Sequence, residues 1–270
     1  MIWKGAPSTP LCSIATTKIV AQVLEKNNLP GAICSLIFDG ADVGSAMAND
    51  PRLPLISFTR SIKVGKQVAV AVQSRFGRNL LELGGNNAIL VDESASIDLV
   101  SGRPFSRLLE HPASAAPSTC RLVLHGKVCD TVLAYLIKAY ELLLPRMGDP
   151  LQSGLLLGPP SQSAGRRLDR RHHQGSGVPR RQSHDGPSRG FFVQPTIITG
   201  LMPTASVVMS ECFADILYVL KCQDMDEATA INNSVDQVLS SSMFTKNLNH
   251  IFKVEKSFSI FNGIFKLNAF

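Results

Sequence analysis

Residues 53–91 read LPLISFTRSIKVGKQVAVAVQSRFGRNLLELGGNNAILV, and this stretch decides the fold class. Leu53 to Phe58 is a short apolar run, which predicts a strand. Ser61 to Ser74 predicts a helix. Leu80 to Leu83 begins a second strand that turns at Gly84-Gly85, and Asn87 to Val91 is a third. Strands separated by a helix of this length need right-handed crossovers, so the expectation is an α/β fold on a mainly parallel sheet.

The same rhythm extends upstream. Thr16 to Asn28 carries Ile19, Val20, Val23 and Leu24 at helical spacing, with Ser13, Thr16 or Thr17 available as a cap. Pro30-Gly31 breaks that helix, Ala32 to Phe38 predicts a buried strand, and Ala41 to Ala48 a short helix. Downstream, the pattern is lost over 101–120, which is rich in Pro, Ala and Ser, and returns with a strand at Arg121 to His125 and a helix at Val128 to Leu144. It is lost again between Gly158 and Gly190. A strand at Ile216 to Cys222, a helix at Asp226 to Asn232 and a strand at Ser240 to Thr245 follow. The tail from Lys253 to Phe270 is aromatic and Lys-rich without a clear period.

Bulk properties exclude several classes. Apolar residues make up 44% of the 270, too many for a wholly disordered chain. No apolar run reaches the roughly 18–20 residues that span a bilayer. Met1 to Gly5 does not read as a signal peptide. The six cysteines show no CxxC spacing and are expected to be reduced thiols. Of the net charge of +6, residues 161–190 contribute +5, from seven arginines against two aspartates. The basic character belongs to that segment rather than to the fold. It holds His172, His173 and His184, but no aromatic to stack a base and no zinc-finger spacing, so nucleic acid is not an expected partner.

Two segments carry chemistry. In Leu81-Glu82-Leu83-Gly84-Gly85-Asn86-Asn87 a carboxylate at a strand end precedes two glycines that let the backbone turn tightly. Alone, this describes a partly exposed glutamate beside a turn; partly desolvated, the same group becomes a general base with a raised pKa. In Phe58-Thr59-Arg60-Ser61-Ile62-Lys63-Val64-Gly65 a strand runs into a helix N-terminus, whose free N–H groups favour a phosphate. Arg60 stands where a nucleotide turn favours glycine.

Taken together with Trp3-Lys4-Gly5-Ala6-Pro7, Leu29 to Ala32, Gly40-Ala41-Asp42, Phe191 to Gly200, Glu211 to Ala214 and Ser240 to Thr245, these segments resemble the aldehyde dehydrogenase superfamily, and within it the antiquitin group. The resemblance covers 1–100, 121–160 and 191–252. It implies parts of two domains truncated at both ends: 1–83 as the second half of a Rossmann-like NAD-binding domain, 84–252 as a partial catalytic domain, and 253–270 as an unmatched tail. The implied chemistry is oxidation of an aldehyde, specifically a semialdehyde from lysine breakdown, with NAD as acceptor. By position, Lys4 would bind the adenine ribose and the Ser61 helix start would face the pyrophosphate. Gly65 would allow close helix packing and Glu82 would be the general base. Glu211 would hold the nicotinamide ribose, with Phe213 packed nearby. A homo-oligomer in cytoplasm or mitochondrion is further implied, with no membrane partner and no metal.

The pattern departs from the family at defined places. The nucleophile's Gly-Gln-x-Cys loop is absent, and its spacing lands on Ala116. Cys120 matches a residue after the nucleophile, not the nucleophile itself. The upstream asparagine that stabilises the oxyanion is not in the chain. The tail does not resemble the Gly-rich segment that closes the substrate site and supports the subunit interface. Asp215 stands where the family has proline. The expectation is therefore an inactive chain, with a nucleotide-binding remnant or a mistranslated product as alternatives. Segments 101–120 and 161–190 read as out-of-frame text between intact motifs.

Overall fold

The structure is a computed structural model that describes residues 1–97, 100, 119–149, 151–155, 195–211, 215–257 and 264–268. Ala116, Cys212, Phe213 and the whole of 161–190 lie outside the described residues. The chain divides into two compact units, Met1–Leu83 and Gly84–Phe270.

The first unit is built from two parallel strand pairs. β1 (Ile2–Lys4) pairs with β2 (Ser35–Ile37), and β3 (Leu55–Arg60) pairs with β4 (Arg78–Leu83) in a register that runs from Leu55↔Arg78 to Arg60↔Leu83. Helix α1 spans Pro10–Lys26, beginning earlier than the Thr16 expected from the apolar spacing. Pro10 explains the earlier start: its fixed φ suits the first turn, where a missing N–H costs nothing. Thr16 and Thr17 do not cap; their hydroxyls donate back to the carbonyls of Cys12 and Ser13 at 2.9 and 2.8 Å. The strand expected over Ala32 to Phe38 is shorter and only half-buried, because Gly31–Ile33 forms a 3-10 turn after Pro30. α2 (Ala41–Asn49) and α3 (Ile62–Gln73) complete the unit.

The second unit is a three-layer α/β sandwich around a six-stranded, wholly parallel sheet. It comprises β5 (Asn87–Val91), β6 (Thr119–His125), β7 (Thr196–Thr199), β8 (Ile216–Cys222), β9 (Ser240–Phe244) and β10 (Ile264–Asn268), in the order β10-β9-β5-β6-β8-β7. Strands buried on both faces read as continuous apolar runs, which is why β5, β6 and β8 carry AILV, LVL and ILYVL. On one face α4 (Gly126–Leu143) packs Val128, Val132 and Leu136 onto Leu122, Leu124 and Leu217. On the other, α5 (Ser206–Met209), α6 (Met225–Asn233) and α7 (Leu248–Ser257) bring Val208, Ile231 and Val254 against Leu90, Val123 and Met243. The Asp224 carboxylate caps α6 by accepting from the Glu227 N–H at 2.9 Å.

The tail holds regular structure that its composition does not announce. α7 runs through Ser257 and β10 pairs with β9 from Ile264↔Ser240 to Asn268↔Phe244. Five residues with one lysine among them are too few to show a period; only the neighbouring strand reveals the assignment.

Candidate functional site

In the first unit, Lys4 closes β1 and its stem lies over α2, within 3.6 Å of where a Cβ on Gly44 would stand. Among the described residues its Nζ donates only to the Gly5 carbonyl, at 3.5 Å. Gly5 itself is required: a Cβ there would meet the Phe38 ring at 2.3 Å. Ser61 is the N-cap residue of α3; the first-turn amides, as at any helix start, have no intrahelical acceptor, and the Ser61 side chain does not cap them. Gly65 sits one turn inside, where a Cβ would fall 2.3 Å from Leu83 Cδ2, and this close approach seats α3 on β4. Arg60 ends β3 and is itself exposed. Glu82 is exposed on β4, two residues before the glycine pair.

In the second unit, the Gly84-Gly85 turn is shaped around a carboxylate. A Cβ on Gly84 would lie 2.1 Å from Glu211 Oε2, and the Gly85 N–H donates to Glu211 Oε1 at 3.0 Å. Burial pushes the Glu211 carboxyl up, and the Gly85 N–H opposes that shift in part. A Cβ on Gly85 would meet the Leu239 backbone nitrogen at 2.6 Å. The Asn87 Oδ1 accepts from the Leu239 and Ser240 N–H groups at 2.9 and 3.0 Å, fixing the entry to β9 beside the turn. Cys120 is 7% exposed, within β6, at a bulge where the β5–β6 register slips by one residue. A reactive thiolate needs an electropositive, partly exposed setting, and the burial of Cys120 denies it the second condition. Among the described residues there is no metal-binding cluster, and no helix is long and apolar enough to cross a membrane.

The structure thus places Lys4, Ser61, Gly65 and Glu82 in the first unit and Glu211 and Cys120 in the second, and it brings Glu211 onto the glycines of the Leu81–Asn87 motif. Sequence reading missed Arg121. It is wholly buried in β6, where it donates to the carbonyls of Ile231, Asn86 and Asn232 at 2.7, 2.8 and 3.2 Å. The signal available was a lone charge beside the apolar run Leu122-Val123-Leu124. Burial lowers its guanidinium to about 10, which leaves it ionised at neutral pH. Also missed was the network at the opposite strand ends. There the buried Asp92 Oδ2 accepts from Ser94 and Thr245, both at 2.6 Å, and pairs with His250 Nδ1 at 3.2 Å.

The fold matches solved aldehyde dehydrogenases. An NAD-dependent aldehyde dehydrogenase from Sinorhizobium meliloti superimposes with a TM-score of 0.89 at 21% identity, over 99% of this chain and 53% of that one. At that identity the likeness speaks for fold alone. Closer in sequence are the alpha-aminoadipic semialdehyde dehydrogenase of Bos taurus, 48% identical over 93% of this chain and 47% of its own length, and aldehyde dehydrogenase family 7 member B4 of Arabidopsis thaliana, 44% identical over 94% and 50%. The chain spans about half the length of the curated relatives it matches. The family match runs over residues 1–269, a span that includes 101–120, 161–190 and the tail. With nearly its whole length matched, and with a parallel α/β fold shared with solved members, this chain belongs to the aldehyde dehydrogenase family.

Proposed function

We propose that this chain carries dinucleotide-holding elements of an NAD-dependent oxidation of a semialdehyde to its acid, and that it does not turn over. One observation carries the second half: between Gly85 and Arg121 the only cysteine is Cys120, and it is buried in β6. The oxidation needs a thiolate to add to the aldehyde carbon, and a base to activate the water that releases the acid. When bound, NAD accepts the hydride. Glu82 supplies a carboxylate for the base; no exposed thiol between the glycine turn and β6 supplies the nucleophile.

Within each unit taken by itself, groups suited to a dinucleotide support this reading. The unclaimed amides at Ser61 offer donors to a pyrophosphate, and the Lys4 ammonium offers donors to ribose hydroxyls. Gly65 keeps the first turn of α3 close to β4. Glu211, held by Gly85, offers an ordered carboxylate to a second pair of hydroxyls. The semialdehyde class is carried over from the name of the Bos taurus relative, and Phe213 is assigned beside Glu211 by motif alone. Titration calorimetry with NAD, run beside an assay for aldehyde-dependent NADH formation at 340 nm, tests both halves. Binding without NADH is expected. NADH formed in proportion to added aldehyde overturns the claim of silence, and absence of binding overturns the claim of a dinucleotide site.

A second reading rests on the Arg-rich, unpatterned segment 161–190 and on 101–120, each flanked by family sequence. Both are products of a shifted reading frame. Transcript sequencing that finds one continuous supported frame through both segments removes this reading.

A further inference from the structure

Arg121 is a fully buried cation that forms no ion pair among the described residues. Its donors reach two places at once. Nη1 and Nη2 engage the carbonyls of Ile231 and Asn232 in the last turn of α6, the negative end of that helix, and Nη2 also holds the carbonyl of Asn86. Asn86 is itself a hub. Its backbone N–H donates to the Gln237 carbonyl at 3.0 Å, and its side-chain Nδ2 donates to the Val208 carbonyl at 2.6 Å. Val208 lies in α5, one turn before Glu211, and the residue preceding Asn86 is Gly85, whose N–H holds the Glu211 carboxylate. A path of hydrogen bonds and short backbone links therefore joins Arg121 to both the chain that carries Glu211 and the amide that orients it.

We propose that Arg121 is a positioning residue for Glu211: by clamping the Asn86 carbonyl to the end of α6 it fixes the glycine turn and α5, and through them the place of the Glu211 carboxylate. This rests on the assignment of Glu211 to the dinucleotide made above. Two features favour positioning over plain stabilisation. Arg121 Nε, Asn86 Oδ1 and Gln237 Oε1 are all buried without a hydrogen-bond partner among the described residues, so the cluster keeps its geometry at a cost in polar groups. A guanidinium is also a rigid planar fork, able to hold two sets of carbonyls in fixed relative directions, which a lysine cannot do.

The test uses the full chain with Arg121→Lys, Arg121→Met, Glu211→Gln and the double variant Arg121→Met/Glu211→Gln. The first readout is the titration of the Glu211 carboxyl in protein labelled with 13C-glutamate, assigned by its disappearance in Glu211→Gln. Loss of the clamp loosens the Gly85 N–H bond, so the Glu211 midpoint rises in both single Arg121 variants. Because Arg121→Lys keeps the charge and fails to rescue, the shift reports geometry rather than charge. The second readout is calorimetric affinity for NAD and for AMP. Each Arg121 variant weakens NAD by about tenfold or more, the value of one hydrogen bond to a charged group. AMP binding is unchanged, and the double variant is no weaker than Glu211→Gln. A Glu211 midpoint that stays put in both Arg121 variants, or losses that add in the double variant, overturns the proposal. If wild type binds no NAD, the dinucleotide reading fails while the titration still decides the role of Arg121. If the Arg121 variants do not fold, Asn86→Ala, which removes only the bond to Val208, must raise the midpoint; an unmoved midpoint overturns the proposal equally.

Discussion

Gly85→Ala isolates the tightest backbone contact near the glycine turn. The added Cβ would stand 2.6 Å from the Leu239 nitrogen and 3.1 Å from the Val238 carbonyl carbon, about 0.8 Å short of ordinary contact at the first. Backbone cannot rotate away as a side chain can, so the 238–239 segment has to shift. That segment is held by Asn87 Oδ1 through the Leu239 and Ser240 N–H groups, at 2.9 and 3.0 Å. Overpacking costs about 1–3 kcal/mol, and two weakened hydrogen bonds add roughly 1 kcal/mol. The sum is about 2–4 kcal/mol, none of it from backbone strain, because Gly85 is not in the left-handed region. Gly31→Ala is the internal control. Nothing lies within 4 Å of its Cβ position, so the substitution is neutral or stabilises by up to about 1 kcal/mol through the unfolded chain. Urea unfolding monitored by far-UV circular dichroism measures both. A lower midpoint with unchanged slope is expected for Gly85→Ala. A loss under about 0.5 kcal/mol would refute the reasoning, since it would show the 238–239 backbone free to move.

Gly84→Ala acts on the end of a flexible side chain, the Glu211 carboxylate, so stability falls by less than about 1 kcal/mol while NAD affinity drops; calorimetry beside a urea melt separates the two. Burial pushes the Asp92 carboxyl up, but hydrogen bonds from Ser94, Thr245 and His250 outweigh it and hold the group below its usual range. A lowered pKa gives stability above the unfolded value near about 4 that is lost as pH falls, so Asp92→Asn costs about 1–3 kcal/mol at pH 7 and progressively less below about pH 4. Glu211 has the opposite sign: its raised carboxyl makes the native state lose stability as pH climbs from the ordinary carboxylate range to the raised value, and Glu211→Gln abolishes that slope. Finally, Leu11, Ile19, Val70 and Phe76 are exposed by 77, 62, 70 and 97% in a unit whose strands form only isolated pairs. Such a surface self-associates, and light scattering should rise with concentration; a monodisperse monomer with one cooperative thermal transition overturns this.

The legible parts of the fold were those whose physics is local. Short apolar runs such as Ala88–Val91 and Ile216–Leu220 read as strands buried on both faces, and the glycines at 84 and 85 as a turn or a close approach. Thus the α/β class and most of the elements followed from periodicity. What stayed hidden depends on partners distant in sequence. Glu211 is 126 residues from the amide that orients it, Asp92 is 153 from Thr245, and the three carbonyls that make Arg121 tolerable come from residues 86, 231 and 232. No window of sequence contains both ends of those bonds. The glycine pair illustrates the difference most sharply. Its turn is readable from two letters, but what packs against each position is not: the movable carboxylate of Glu211 lies against Gly84 and the fixed backbone nitrogen of Leu239 against Gly85. The motif is therefore less a turn signal than an imprint of what packs against it. Cys120 and Glu82 show the same limit: neither the burial of the first in β6 nor the exposure of the second on β4 can be read from the letters around it, because each depends on what the neighbouring chain covers.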